Sequence, residues 1–353
     1  MASPFAALAA RLAISAEGAL KRNLTLDRSV AIARSIWPQA KVSPVGSFAN
    51  GTSLHGSDID LVVDTQNLYS RTRAGLWAQQ MEDELIKNRI TKPTTTAVHA
   101  NARVPIVTYI DSKYLIGVDI SFTTNGLANT HYVRRELDER AYMRTMIILL
   151  KYWLKSRRYN KVYTGGLSSY GLALTIIGYF NVRKTVKARN CTVEDYQRWI
   201  EERDYQRLLI DYLTFWSSQW KLATTMLEPA EGAIYKKGTK GHCGKPRNSL
   251  LCIADPTDPT NDVTNGTYKI FKLREAMKVL RNRLETVQKD VELDALENIF
   301  KKTGTEWPED DRSRQKFKGR AAKAKSKPTK KGGIRFKTAI DRDGLKRVRF
   351  SAD

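Results

Sequence analysis

The chain has 353 residues, with 60 Lys and Arg against 37 Asp and Glu, a net charge of +23 and a pI near 9.9. A mean hydropathy of −0.46 and the lack of any apolar run near the roughly 18 to 20 residues that a bilayer needs exclude a helical membrane-spanning protein. Three cysteines, at 191, 243 and 252 with no CxxC pair, exclude a disulfide scaffold, and the positive excess points to a polyanionic partner, nucleic acid first.

In chain order, the Ala-rich start MASPFAALAARLA has the look of a transit peptide or of a docked amphipathic helix; Phe5, Leu8 and Leu12 fall on one face and favour the helix. Leu26, Val30, Ala33 and Trp37 repeat at helical spacing and Pro38 stops the run, which predicts a helix over 24–37. Next comes KVSPVGSFANGTSLHGSDIDLVVDT, in which the β-branched run DIDLVV reads as a buried strand. Asp58 and Asp60 stand two apart at its start, so their carboxylates project from one face of the strand. Two like charges side by side call for a cation, and a hard divalent ion is the natural one.

Gly46 and Ser47 precede this pair by a turn-rich stretch in which backbone N–H groups can approach phosphate oxygens. VPIVTYIDSKYLIGVDISF predicts a hairpin around Asp111-Ser112-Lys113 that brings a third carboxylate, Asp119, onto a strand. Three carboxylates at strand positions match a two-metal site for nucleotidyl transfer. The four His, at 55, 99, 131 and 242, give no zinc spacing with any Cys.

The GS(x10)DxD spacing with a later lone Asp resembles the DNA-polymerase-β-like nucleotidyltransferase superfamily. LLKYWLKSRRYNKVYTGGLSSYGLALTII resembles the central domain of the template-independent poly(A) and poly(U) polymerases, and LLCIADPTDPTNDV their nucleotide-recognition segment, in the style of the poly(A) polymerases of the nuclear RNA-surveillance (TRAMP) complexes. The resemblance runs from about residue 5 to 284. It implies an α/β protein of two lobes: a catalytic nucleotidyltransferase lobe with a mixed sheet at 20–130, and a mostly helical central lobe from 1–19 and 131–300. A disordered basic tail at 305–353 completes the expected architecture.

It further implies that Asp58, Asp60 and Asp119 hold two Mg2+ (or Mn2+) ions and that Gly46 and Ser47 grip the triphosphate of ATP. Asn125, Asn129 and Thr130, in NGLANT, match the family's segment beside the ribose. Lys151 and Lys155 are four apart on a helix and share a face, where two ammonium groups would hold the incoming phosphates. Ser168 or Ser169 caps the following helix or contacts phosphate; the family pattern gives the contact to Ser169 and the base stack to Tyr170.

Base choice is expected from ADPTDPTNDV. The family's uridylyltransferases commonly place a His, which blocks purines, where this chain has Asn261, so a roomier amide pocket favours ATP. Asp255 and Asp258 match acidic positions near the base edge, where a carboxylate would accept from an exocyclic amino group, or else form a polar turn stiffened by Pro256 and Pro259. Thr264-Asn265 replaces the family's usual GR, which removes any contact made by that Arg. The basic loop YKKGTKGHCGKPRNS, with Lys236, Lys237 and Lys240, contacts RNA or is solvated.

The expected activity is RNA 3′-terminal adenylyl transfer from ATP with release of pyrophosphate; a terminal uridylyltransferase and an inactive RNA-binding scaffold are the alternatives. Kinship suggests a helicase and a zinc-knuckle RNA-binding protein as partners. KAKSKPTKK resembles a nuclear import signal, with cytoplasm or mitochondrion as alternatives. Between 312 and 349 sixteen Lys and Arg, Arg320, Lys330 and Lys331 among them, face only Asp341 and Asp343. Such a segment attracts phosphate without regard to sequence. Deleting 312–349 is therefore expected to flatten the salt dependence of RNA binding while leaving the chemistry intact, as titrations at two salt concentrations would measure.

Overall fold

The computed structural model describes residues 3–67, 69–102, 104–184, 192–239, 243, 247–288, 290–301, 339–340 and 346–347. It divides into two units, 1–304 and 305–353. In the second, β10 (Ala339–Ile340) pairs antiparallel with β11 (Lys346–Arg347). The expected disorder of the basic tail, and Arg320, Lys330 and Lys331 within it, lie outside the described residues, as does Lys240.

The first unit begins with α1 (Pro4–Leu12) and α2 (Ala16–Ile36). Proline at the first turn of α1 leaves no amide wasted, and Phe5, Leu8 and Ala9 are buried. α2 starts at 16, eight residues before the periodicity alone suggests, because Ser15 accepts from the Gly18 amide and caps it. Its first turns carry Leu20 and Leu24 on the solvent side, 58% and 37% exposed, which blurs the apolar stripe.

A mixed five-stranded sheet follows, in the order β1 (Lys41–Val45), β2 (Ile59–Asp64), β5 (Gly117–Ser121), β4 (Ile106–Ile110) and β3 (Thr96–Val98). Only β2 and β5 run parallel. A short turn of helix, α3 (Gly46–Ala49), follows β1, and α4 (Arg71–Lys87) joins β2 to β3. Strand alternation sorts the side chains. Ile59, Leu61 and Val63 of β2 and Val118 and Ile120 of β5 enter a core shared with Ile32 and Ala33 of α2 and Ala74, Ala78, Met81 and Leu85 of α4. The alternate residues, Asp60, Val62 and Asp119, face the other way.

A second, larger core is helical. It gathers α1, α5 (Asn125–Glu139), α6 (Tyr142–Ser156), α7 (Ser169–Arg183), α8 (Val193–Glu201), α9 (Tyr205–Thr214), α10 (Ile270–Glu285) and α11 (Leu293–Phe300). Two hairpins attach to it: β6 (Thr225–Glu228) with β7 (Ala233–Lys236), and β8 (Ala254–Asp255) with β9 (Asp258–Asp262). Between them, Met226, Cys243, Cys252 and Ala254 form a small cluster. Hydrogen bonding with Cys243 and burial push the Cys252 thiol upward. Among the described residues no helix is long and apolar enough to cross a membrane.

The hairpin predicted around Asp111 is present, and its turn is anchored. Asp111 is fully buried, accepts from the Lys113 and Tyr114 amides at 2.9 and 2.8 Å, and pairs with Arg28 of α2 at 2.8 Å. Removing the carboxylate strips Arg28 of its partner and two amides of their acceptor. Asp111→Ala is expected to destabilise the protein by about 3 kcal/mol in denaturant unfolding, the low end for a broken buried pair because Arg28 keeps some contact with water.

Candidate active site

Three aspartates meet at the centre of the sheet because of strand register. In the parallel pairing of β2 and β5, Asp60 stands directly opposite Asp119, and Asp58, two residues before Asp60, leads into the same face. Burial first, then the charges of Asp119 and Asp58, push Asp60 up to about 7, against the opposing pull of Lys151. Asp119 is raised by burial and by Asp58, while Lys161 and His99 pull it back. Carboxylates crowded together in a half-buried place, with Asp60 and Asp119 shifted upward by burial first and by their neighbours' charge second, fit a hard divalent cation.

Glycines make the convergence possible. A β-carbon on Gly117 would fall 2.3 Å from Asp58 Oδ1, and one on Gly46 would fall 2.6 Å from Asp60 Oδ2. Gly46 also has φ +64°, in the left-handed region that glycine occupies without strain. The Gly46 amide donates to Thr130 Oγ1 at 2.9 Å, and that hydroxyl donates to the Gly126 carbonyl at 2.7 Å. Thr130 is therefore a buried strut under Gly46. Ser47 is buried beside Ser53, their hydroxyls 3.1 Å apart.

Lys151 and Lys155 come from α6 and reach the loop that joins α3 to β2. Their ammonium groups donate to the Thr52 and Gly56 carbonyls, each at 3.2 Å. Burial pulls Lys151 down to about 8 although Asp60 opposes it. Each ammonium has three donors, so both keep capacity for an anion. Arg22 of α2, a residue that sequence reasoning passed over, donates to the Gly18 and Ser57 carbonyls at 3.1 and 2.7 Å and stands in the field of Asp58. It fixes the backbone immediately before that aspartate.

The start of α7 resolves the choice between two serines. Ser168 Oγ accepts from the Gly171 amide at 2.9 Å and caps the helix, leaving Ser169 exposed at the first turn. Tyr170 turns its hydroxyl to Asp255 at 2.7 Å, and burial together with that carboxylate raises the phenol. Asp255 also accepts from the Thr257 amide and hydroxyl and, at 3.2 Å, from the Asn261 amide nitrogen. The single hydroxyl proton of Thr257 is shared between Asp255 and Asn129 Oδ1, the latter 2.5 Å away, which ties the β8–β9 hairpin to α5.

This network adds to the expectation for Asp255. The carboxylate is buried, with Oδ1 accepting from Tyr170 and Thr257 and Oδ2 from Asn261, so it orients those groups, while Oδ2 keeps a lone pair for a further donor. Asp258 is exposed and accepts from the Thr260 amide and hydroxyl. Asn125 is exposed at the first residue of α5. Of the basic-loop lysines, Lys236 is exposed, whereas Lys237 donates to the Leu222, Arg247, Asn248 and Leu250 carbonyls. Lys237 therefore clasps its own loop.

A mixed sheet presenting three converging aspartates to a helical lobe defines a nucleotidyltransferase fold. Residues 4–135 match the family model "Poly(A) RNA polymerase, mitochondrial-like, central palm domain", and 205–261 match "Cid1 family poly A polymerase". Poly(A) RNA polymerase protein 1 of Saccharomyces cerevisiae is 27% identical over 72% of this chain and 38% of its own length. Poly(A) RNA polymerase CID14 of Cryptococcus neoformans is 30% identical over 69% of this chain and 30% of its own. The chain thus spans well under half the length of these relatives. The polymerase core of TRAMP, an RNA surveillance complex, shares the fold with a TM-score of 0.65 at 25% identity, covering 83% of this chain and 91% of that one. A histidine-to-asparagine mutant of the Cid1 poly(U) polymerase, bound to MgATP, matches with a TM-score of 0.64 at 20% identity, covering 84% and 96%. The chain belongs to the nucleotidyltransferase poly(A) polymerase family.

Gly117 gives a clean probe of the site, since its backbone lies outside the left-handed region and alanine adds only the clash with Asp58. Displacing a catalytic group by about 1 Å costs on the order of 100-fold in rate. Gly117→Ala is expected to lower nucleotidyl transfer by about 100-fold while the melting temperature stays close to the parent's.

Proposed function

We propose that the chain is a template-independent RNA 3′-terminal adenylyltransferase that transfers AMP from ATP to RNA and releases pyrophosphate. The reading rests on the register that sets Asp60 against Asp119 beside Lys151 and Lys155. Asp58, Asp60 and Asp119 would hold two divalent ions, which when bound supply activation of the 3′-hydroxyl and neutralise charge developing on the triphosphate. Lys151 and Lys155 receive the phosphates from the opposite lobe, with Ser169 at the N-terminus of α7 as a further donor. Tyr170, held by its hydroxyl, offers a ring face to the base.

Base choice follows from the orientation of Asn261. Its NH2 group donates one hydrogen bond to Asp255, and the amide oxygen is the acceptor we assign to base recognition. An acceptor there matches the exocyclic amino group of adenine. The histidine-to-asparagine Cid1 mutant described with MgATP is in line with this choice, although that enzyme itself is described as a poly(U) polymerase selective for UTP.

A role in RNA surveillance, processing or decay is supported by the likeness to the TRAMP polymerase core, and helicase and zinc-knuckle proteins are the partners we propose. The basic run KAKSKPTKK supports a nuclear location. Incubating the full chain with each NTP and a 5′-labelled single-stranded RNA tests the reading. ATP is expected to be incorporated best, and Asn261→His to move the preference toward UTP. A parent protein that prefers UTP would overturn it in favour of terminal uridylyl transfer.

A further inference from the structure

An exposed aromatic ledge lies beside the candidate active site, built from two segments far apart in sequence. Tyr163 is 76% exposed and Tyr268 53%, with Phe271, 58% exposed, in the first turn of α10. Soluble surfaces hold few such rings side by side without a use for them. The ledge is rigidly supported. The Tyr268 ring lies flat over Gly165, where φ is +84° and a β-carbon would strike the ring at 2.5 Å, and Val162 packs on Gly266 in the same way at 2.3 Å. The Lys269 amide donates to the Gly165 carbonyl at 3.0 Å and Thr267 Oγ1 to the Gly166 carbonyl at 3.1 Å, lacing the two segments together.

Charge identifies the occupant. No Asp or Glu occurs from 140 to 193 or from 263 to 274, so both segments of the ledge are free of acids in their own sequence. Lys155, Arg158 and Lys161 are exposed along the approach, and the Lys161 ammonium sits 5.7 Å from the centre of the Tyr163 ring. Lys161 also acts on Asp119, which places the ledge within electrostatic reach of the aspartates. It leads through Gly165-Gly166 straight into Ser169 and Tyr170. Exposed rings with a cation beside one of them suit stacked bases and a phosphate backbone of any sequence.

We propose that Tyr163 and Tyr268, with Lys161, form the platform on which the last bases of a single-stranded RNA stack, so that its 3′-hydroxyl is delivered toward Asp119. This inference rests on the adenylyltransferase reading for its direction, but its test does not need catalysis. The probe is a short oligoadenylate with 2-aminopurine as its penultimate base, added to the full chain without nucleotide at two salt concentrations, the higher of which screens the basic tail. Stacking quenches that fluorophore.

Tyr163→Ala, at a position that is mostly solvent, is expected to weaken RNA binding about tenfold at the higher salt and to abolish the quench, while MgATP affinity is unchanged. Tyr163→Trp is expected to restore both. Unchanged affinity and quench in Tyr163→Ala would overturn the proposal, and would leave the ledge as a docking face for a protein partner. Quenching that depends on Tyr163 in a chain that incorporates no NTP would keep the platform and sink the adenylyltransferase reading instead.

Discussion

The structure depends on an arrangement that electrostatics opposes: three carboxylates brought together at the centre of a sheet. Asp60 and Asp119 are neighbours because β2 and β5 run parallel in register, and that pairing is held by Ile59, Leu61, Val118 and Ile120 on the opposite face. Hydrophobic burial under the sheet thus overcomes the repulsion above it. A slip of one residue along β2 would turn Asp60 into the core and Leu61 out of it, so the register that makes the fold stable is also the one that makes the site. The three aspartates are a local acidic exception in a chain of net charge +23.

How the two lobes share the site follows from where hydrogen bonds cross between them. Lys151 and Lys155 belong to the helical core yet end on carbonyls of the loop preceding Asp58. Thr257, on the β8–β9 hairpin, shares its hydroxyl proton between Asp255 and Asn129 on α5, and α5 itself supplies the Thr130 strut beneath Gly46. Backbone bonds cross as well, from the Ile14 amide to the Ser53 carbonyl at 3.3 Å and from the His55 amide to the Leu12 carbonyl at 2.9 Å, and Leu54 of the same loop is buried in the helical core.

The parts legible in the sequence were those governed by a short period or a fixed spacing. Alternation in DIDLVV and around Asp119 revealed the strands and the facing of the carboxylates, and KxxxK on a helix gave two lysines on one face. The start of α2 was hidden because Leu20 and Leu24 point to solvent and break the stripe, while its real marker is the side chain of Ser15. The functions of Thr130, Asp255 and Lys237 were hidden for another reason. Whether a polar atom is free for a ligand depends on which distant groups have already claimed it, and these three are claimed by Gly46, by Tyr170 with Thr257 and Asn261, and by four carbonyls. Gly117 carried no motif at all, and only the 2.3 Å approach to Asp58 exposes its role.

Arg22 links the second helix to the aspartates. It is buried in α2, bonds the backbone of its own helix and of Ser57, and retains a buried Nε without a hydrogen-bond partner in the described structure. Burial lowers its basicity and the charge of Asp58 restores part of it. A buried cation with an unused donor is costly unless something compensates, and the compensation here is an aspartate that itself needs positive charge. Arg28 makes the same kind of link one face away, joining α2 to Asp111 at the hairpin that carries Asp119. The second helix therefore does more than cover the sheet: through two arginines it holds the segments that lead into the first and the last of the three aspartates, so their spacing is set by a rigid element and not by the loops that bear them.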